Sequence, residues 1–333
     1  MPSYILELVA SLLGILIAAH LFTNAIEWAG KRLNLGDGTV GSVLAAVGTA
    51  MPETMIPLVA ILVSSAKGSN EVGVGAILGA PFMLSTLAFL VTGASVYIWA
   101  ALGRRKMLMN IDRHAVGRDL RFFLLSYSLV VLTGLIHVRA LHIAVGVAVV
   151  LIYVFYLRLV FSDKGIMNGH VAPLYFSRRT PVPGFLPIAL QTAVSLAMII
   201  MGAHFFVKAT IGVATIMGIS PILLSLIIAP IATELPEKAN SVIWTRNSKD
   251  TLAMGNITGA MVFQSTFPVM IGLMFTSWDL DGISLVSATI ALLSGVINYA
   301  ILRVRGRISP LQLVLSGILY VVFIGHVYWR IGY

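Results

Sequence analysis

The chain contains no cysteine. That excludes a disulfide framework, thiol catalysis, and cysteine-ligated zinc or iron–sulfur centres. It is also short of charge. Asp, Glu, Lys and Arg make up 11 % of its 333 residues, against about 25 % in a soluble globular chain. So little water-facing charge excludes a soluble enzyme and a disordered chain, and no stretch is left over for a separate water-soluble domain. What the chain has instead is apolar sequence, with 58 % hydrophobic residues.

A spanning helix needs roughly 20 apolar residues. Apolar runs broken by charge or turn residues predict ten spans, near 4–24, 39–64, 72–100, 121–138, 140–162, 184–208, 217–244, 251–276, 283–302 and 309–329. They are too uniformly apolar for the alternating strands of a membrane barrel. The first run lacks a basic leader and carries Glu7, so it reads as a span and not as a cleaved signal peptide. The fold class expected is therefore all-α and integral to a membrane.

Basic residues alternate in the same rhythm. Of the 22, seventeen fall in the connections after the first, third, fifth, seventh and ninth spans, and four in the other connections and termini, with Lys238 inside a span. The positive-inside rule then places the odd connections in the cytoplasm and both termini outside. The net charge of +9 thus reads as orientation and contact with anionic lipid, not as a nucleic-acid footprint. The localisation expected is the cytoplasmic (inner) membrane of a prokaryote.

The two halves repeat. A shift of 184 overlays residues 17–53 on 201–237 without a gap, matching His20 with His204, Thr49 with Thr233, Pro52 with Pro236 and Glu53 with Glu237. A shift of 180 then matches Gly75-X3-Gly79 with Gly255-X3-Gly259, and Ser85-Thr86 with Ser265-Thr266. Five spans are an odd number, so the second half must enter the membrane from the opposite side. Inverted halves are the signature of a secondary transporter. The boundaries expected are 1–162 for the first five-helix repeat, with its motifs at 45–86, and 184–333 for the second, with its motifs at 229–266. A cytoplasmic linker, 163–183, joins them.

Three carboxylates, Glu53, Glu234 and Glu237, cannot be placed at span ends. A charge at the bilayer centre costs on the order of 2.5–3.5 kcal/mol even on the mildest scale, so such residues face a polar interior. Glu53 sits beside the helix breakers Gly48 and Pro52 in one half, and Glu234 and Glu237 beside Pro230 and Pro236 in the other. Proline removes a donor from the carbonyl four residues earlier, which frees the carbonyls of Gly48 and Ala232 and loosens Thr49 and Thr233. Free carbonyls beside carboxylates suit a hard cation. The glycine strips would let the next spans approach the broken ones closely. Those spans supply Ser85, Asn256 and Gln264 as neutral oxygen donors. Lys238, four residues after Glu234, either neutralises it or stands in for one bound cation. His20 and His204 either couple protons or make packing hydrogen bonds.

These motifs resemble the Ca²⁺/cation antiporter superfamily, which includes the sodium/calcium exchangers. Gly48-Thr-Ala-Met-Pro-Glu53 and Ala232-Thr-Glu-Leu-Pro-Glu237 are similar to the family's Gly-Thr-Ser-Leu-Pro-Glu, and Gly75–Leu84 and Gly255–Gln264 to its second element. The resemblance implies that Glu53 and Glu237 are central Ca²⁺ ligands and that Thr49 and Thr233 lend oxygens. Gln264 stands where the family has Asn or Asp. Ala50, Glu234, Ala80, Leu84 and Ala260 replace expected polar positions. The implied function is secondary antiport of Ca²⁺, or another divalent cation, against Na⁺ or H⁺. An uncoupled uniporter and a non-transporting membrane subunit are the alternatives. No cofactor is implied, the partners are inorganic cations and lipid, and the sequence leaves a homodimer open.

Overall fold

The computed structural model describes residues 1–33, 50–162, 172–178, 180 and 182–331. Its described residues are helices and connections, without a strand. In chain order the helices are α1 (Pro2–Arg32), α2 (Met51–Val63), α3 (Ser69–Ala101), α4 (Arg113–Thr133), α5 (Arg139–Ser162), α6 (Phe185–Met217), α7 (Pro221–Thr233), α8 (Leu235–Arg246), α9 (Asp250–Phe275), α10 (Gly282–Arg305) and α11 (Pro310–Ile331). Seven of these are long and apolar enough to cross a membrane: α1, α3, α5, α6, α9, α10 and α11. Thr49, Gly48 and most of the linker lie outside the described residues.

Several boundaries differ from those expected. The fourth helix starts at Arg113 and not near 121, because the Asp112 carboxylate caps it by accepting from the amides of His114 (2.8 Å) and Ala115 (3.2 Å). Arg113, Arg118, Arg121 and Asp119 are therefore helical residues and not part of the preceding connection. α1 runs on to Arg32, beyond the expected end near 24. Its C-terminal part carries Asn24 and, in the extension, Trp28, whose side chains donate to the Ala172 carbonyl at 3.0 and 2.9 Å. α6 likewise continues to Met217, where Gly218 ends it in the left-handed region at φ 68°.

α1 and α6 pack along each other. Tyr4 lies against Gly212 and Ile15 against Gly202, so the two helices run antiparallel. Further along the same seam Gln191 donates to the Leu21 carbonyl at 2.8 Å. α3 forms the centre of the rest. It is 83 % buried across its apolar window and touches α7, α2, α8, α10 and α11. Two of its glycines explain the contact with α7. A Cβ on Gly75 would meet the Ile222 carbonyl, and one on Gly79 would meet the Leu226 carbonyl and lie 2.7 Å from Pro230 Cγ. The glycine strip thus serves the other half's broken span. In α9, a Cβ added at Gly259 would lie 3.7 Å from Tyr156 Oη, and one at Gly255 would meet no described heavy atom of another element within 4 Å.

Candidate cation-binding site

The chain breaks beside Pro52 and Pro236, whereas Pro230, expected to break its helix, lies inside α7, which runs on to Thr233. α7 ends at Thr233, Glu234 sits between helices, and α8 begins with Leu235-Pro236-Glu237. α2 begins in the same way with Met51-Pro52-Glu53. Proline is tolerated in a first helical turn, where its missing donor is not needed. Each matched glutamate therefore lands in the first turn of a new helix, toward the positive end of its dipole.

All three carboxylates are buried: Glu53 and Glu237 are 6 % exposed and Glu234 1 %. Glu53 lies within charge-interaction range of both Glu237 and Glu234. Thr233 flanks Glu53 but spends its hydroxyl proton on the Ala229 carbonyl, at 3.1 Å. By distance and angle, both Glu53 oxygens are buried without a hydrogen bond among the described residues, as are Glu234 Oε1 and Gln264 Oε1. Buried acceptors of this kind are rare in native proteins and call for a ligand or water. The described acidic and histidine side chains do not converge into a ready-made three-residue metal cluster. Main-chain, hydroxyl and amide oxygens must complete any ligand set.

The other predicted residues divide into two groups. Lys238 Nζ donates to Glu234 Oε2 at 3.3 Å and to the Pro230 carbonyl at 3.4 Å. Asn256 Nδ2 donates to the Glu237 carbonyl at 3.2 Å, tying α9 to α8 at the site. Ser85 is buried, but its hydroxyl donates to Phe82 of its own helix at 3.2 Å. His20 and His204 sit on exposed faces of α1 and α6. His20 Nε2 bonds Tyr175 Oη at 2.8 Å and His204 stacks edge-on to Phe205, so neither joins the carboxylates.

Sequence reasoning missed three features around the site. The matched Ser-Thr pairs mark irregular turns in both halves. Thr86 and Thr266 donate to the carbonyls four residues back, Phe82 (2.6 Å) and Val262 (2.9 Å). Hydroxyls that take helix carbonyls compete with the backbone amides. α3 widens into a π-helical turn at Leu84–Ala88, and α9 is interrupted at Ser265 and Thr266. Such turns are frequent at functional sites. Ser294 of α10 donates to the Ser85 carbonyl at 2.5 Å, and Asn298 and Gln312 extend that buried network to α11. The i, i+4 spacing of Ser294 and Asn298 in an apolar run was the available signal. Finally, Asp119 is buried and accepts from Thr258 (2.7 Å) and Tyr156 (3.1 Å).

An all-helical membrane fold with carboxylates held inside it at helix breaks defines an ion-transport class of protein. The chain belongs to the sodium/calcium exchanger protein family, whose model matches residues 3–162 and 188–329. That is a family of membrane cation antiporters and not of enzymes. Among its relatives, CaxA of Alkalimonas amylolytica, named as an antiporter, is 24 % identical over 319 residues, covering 93 % of each chain. The sodium/calcium exchanger MaX1 of Methanosarcina acetivorans is 20 % identical over 284 residues, covering 77 % of this chain and 79 % of MaX1. Among solved structures, the H⁺/Ca²⁺ exchanger CAX is similar in fold with a TM-score of 0.76 at 17 % identity, covering 97 % of this chain and 81 % of CAX.

Proposed function

We propose that this chain exchanges a divalent cation, Ca²⁺ first, for Na⁺ or H⁺ by alternating access, with Glu53 and Glu237 as the central ligands. The observation that carries the reading is the pair itself. Two glutamates matched by the internal repeat, each in the first turn of a helix with proline in that turn, are buried within charge-interaction range of each other, and both oxygens of Glu53 are left without a hydrogen-bond partner among the described residues. Thr233, Gln264 and main-chain oxygens at the break complete the set, and Thr49 would add its oxygens from the other half. Glu53, Glu234 and Glu237 with Lys238 leave two negative charges, which match one divalent cation or two monovalent ones.

The same reading takes the chain as ten spans in two inverted five-helix repeats, 1–162 and 184–333, with both termini outside and 163–183 on the cytoplasmic face of the inner membrane. The antiparallel run of α1 against α6 supports the inversion. Those two helices are the element we expect to slide against the others during exchange. MaX1 is named for sodium and CAX for protons, so either counter-ion suits a site of this charge.

The test is Ca²⁺ flux in proteoliposomes under imposed Na⁺ and pH gradients. Glu53→Gln and Glu237→Gln are each expected to cut gradient-driven flux by at least about tenfold, the scale on which a lost metal-site interaction acts. Flux that ignores both gradients would mean an uncoupled uniporter. Flux indifferent to both substitutions would refute the assignment of the ligands.

A further inference from the structure

We infer that Lys238 is a tethered cation that fills a monovalent subsite beside the central pair, so that one fewer mobile monovalent ion is bound than the carboxylates would otherwise hold. This deepens the exchange reading above and rests on it for the meaning of the neighbouring site.

The contacts of the ammonium are those of a small hard cation. It touches one carboxylate oxygen, Glu234 Oε2 at 3.3 Å, and one main-chain carbonyl, Pro230 at 3.4 Å, in the last turn of a helix that stops three residues later. Carboxylate, carbonyl and the negative end of a half-helix are what broken transporter helices offer to Na⁺. The pair is shielded, with the Lys238 side chain 11 % exposed and that of Glu234 2 %. The other oxygen of that carboxylate, Glu234 Oε1, is buried without a hydrogen bond among the described residues.

The other half lacks both charges. A shift of 184 places Ala50 and Thr54 opposite Glu234 and Lys238. There the Thr54 hydroxyl donates to the Ala50 carbonyl at 2.9 Å. The repeat can thus close this turn with a neutral hydroxyl. The carboxylate–ammonium pair is an addition to one half, and helix geometry does not require it. A pair that serves packing alone would give a different result from a cation surrogate when the ammonium is removed. The packing pair leaves an unpaired buried carboxylate and nothing more, whereas the surrogate leaves a vacancy that a free cation takes.

The experiment measures ²²Na⁺ binding to purified protein and its thermal unfolding in NaCl, KCl or choline chloride at constant ionic strength. Lys238→Met is expected to gain about one saturable Na⁺ or K⁺ per chain, with a melting temperature that rises in those salts and not in choline. The Glu234→Gln/Lys238→Met double variant should lose that gain. Because the chain has no cysteine, Lys238→Cys supplies a single thiol and a second arm if Lys238→Met does not stay folded. Protein carrying an aminoethyl disulfide at that thiol should exclude the extra Na⁺. Reduction on the folded protein should admit it, and a methyl disulfide should not exclude it. No gain in Lys238→Met and in the reduced Lys238→Cys protein, or an equal gain in the double variant, overturns the inference. These readouts do not require transport, so absent Ca²⁺ flux would count against the exchange reading and leave this one to its own result.

Discussion

Replacing Gly79 with alanine should damage both stability and exchange, although the change adds one methyl group and touches no carboxylate. The added Cβ would meet the Leu226 carbonyl and lie 2.7 Å from Pro230 Cγ. Neither is the end of a flexible side chain. Reaching an ordinary contact of 3.4 Å demands that α3 and α7 separate by about 0.7 Å at Pro230. Overpacking of this kind typically costs about 1–3 kcal/mol, occasionally more. The helix propensity of alanine over glycine returns up to about 1 kcal/mol. Because the clashing groups are a backbone carbonyl and a proline ring, the cost lies at the upper end of that range, and the net loss expected is about 2 kcal/mol. Pro230 also supplies the carbonyl that accepts from Lys238 and lies four residues before Glu234. A shift near 1 Å at a site can cost about 10²-fold in rate, so flux should fall more steeply than the melting temperature suggests. The control is Gly325→Ala on the exposed face of α11, where an added Cβ meets no described heavy atom within 4 Å. It should be neutral or slightly stabilising. Thermal unfolding and proteoliposome flux on both variants decide the matter. Wild-type behaviour of Gly79→Ala, or equal damage in Gly325→Ala, would refute the close-approach argument.

Two further perturbations follow from buried polar contacts. Arg105 and Asp250 form a two-pronged ion pair, at 2.6 and 3.0 Å, with both side chains 1 % exposed, and the Asn110 amide adds a third bond to Asp250 at 2.8 Å. Breaking such a pair from one side strands a buried charge, so Arg105→Ala and Asp250→Asn should each lose about 3–5 kcal/mol. A double variant should lose less than the sum, as a double-mutant cycle in thermal unfolding would show. Thr258→Val keeps the shape but removes the 2.7 Å donor to Asp119. About 1–3 kcal/mol should be lost, and a melt unchanged from wild type would mean that Tyr156 and the neighbouring Arg118 guanidinium suffice to satisfy that carboxylate.

The membrane class and the breaks were legible because both are local. Scarce charge and long apolar runs leave no other solvent for the chain, and proline removes a donor wherever it stands, so Pro52 and Pro236 point to helix starts beside Glu53 and Glu237 without any tertiary information. The internal repeat then picked those two glutamates out of thirteen acidic residues. Boundaries governed by a single cap were less legible. Asp112 moves the start of α4 by a full two turns, and with it Asp119 passes from a connection into the interior.

Relations between distant segments were out of reach altogether. Periodicity could not say that Gly75 and Gly79 face the other half's broken helix, nor that Arg105, read as a cytoplasmic charge, is locked against Asp250. The equivalence of His20 and His204 in the repeat said nothing of the faces they occupy, and both turn outward. The composition of this chain determined its solvent, and Pro52 and Pro236 marked the two helix starts that carry the matched glutamates. Only the packing of one half against the other decided which oxygens meet, because that depends on how closely two backbones can approach. Close approach is a property of pairs of surfaces and is written in neither segment alone.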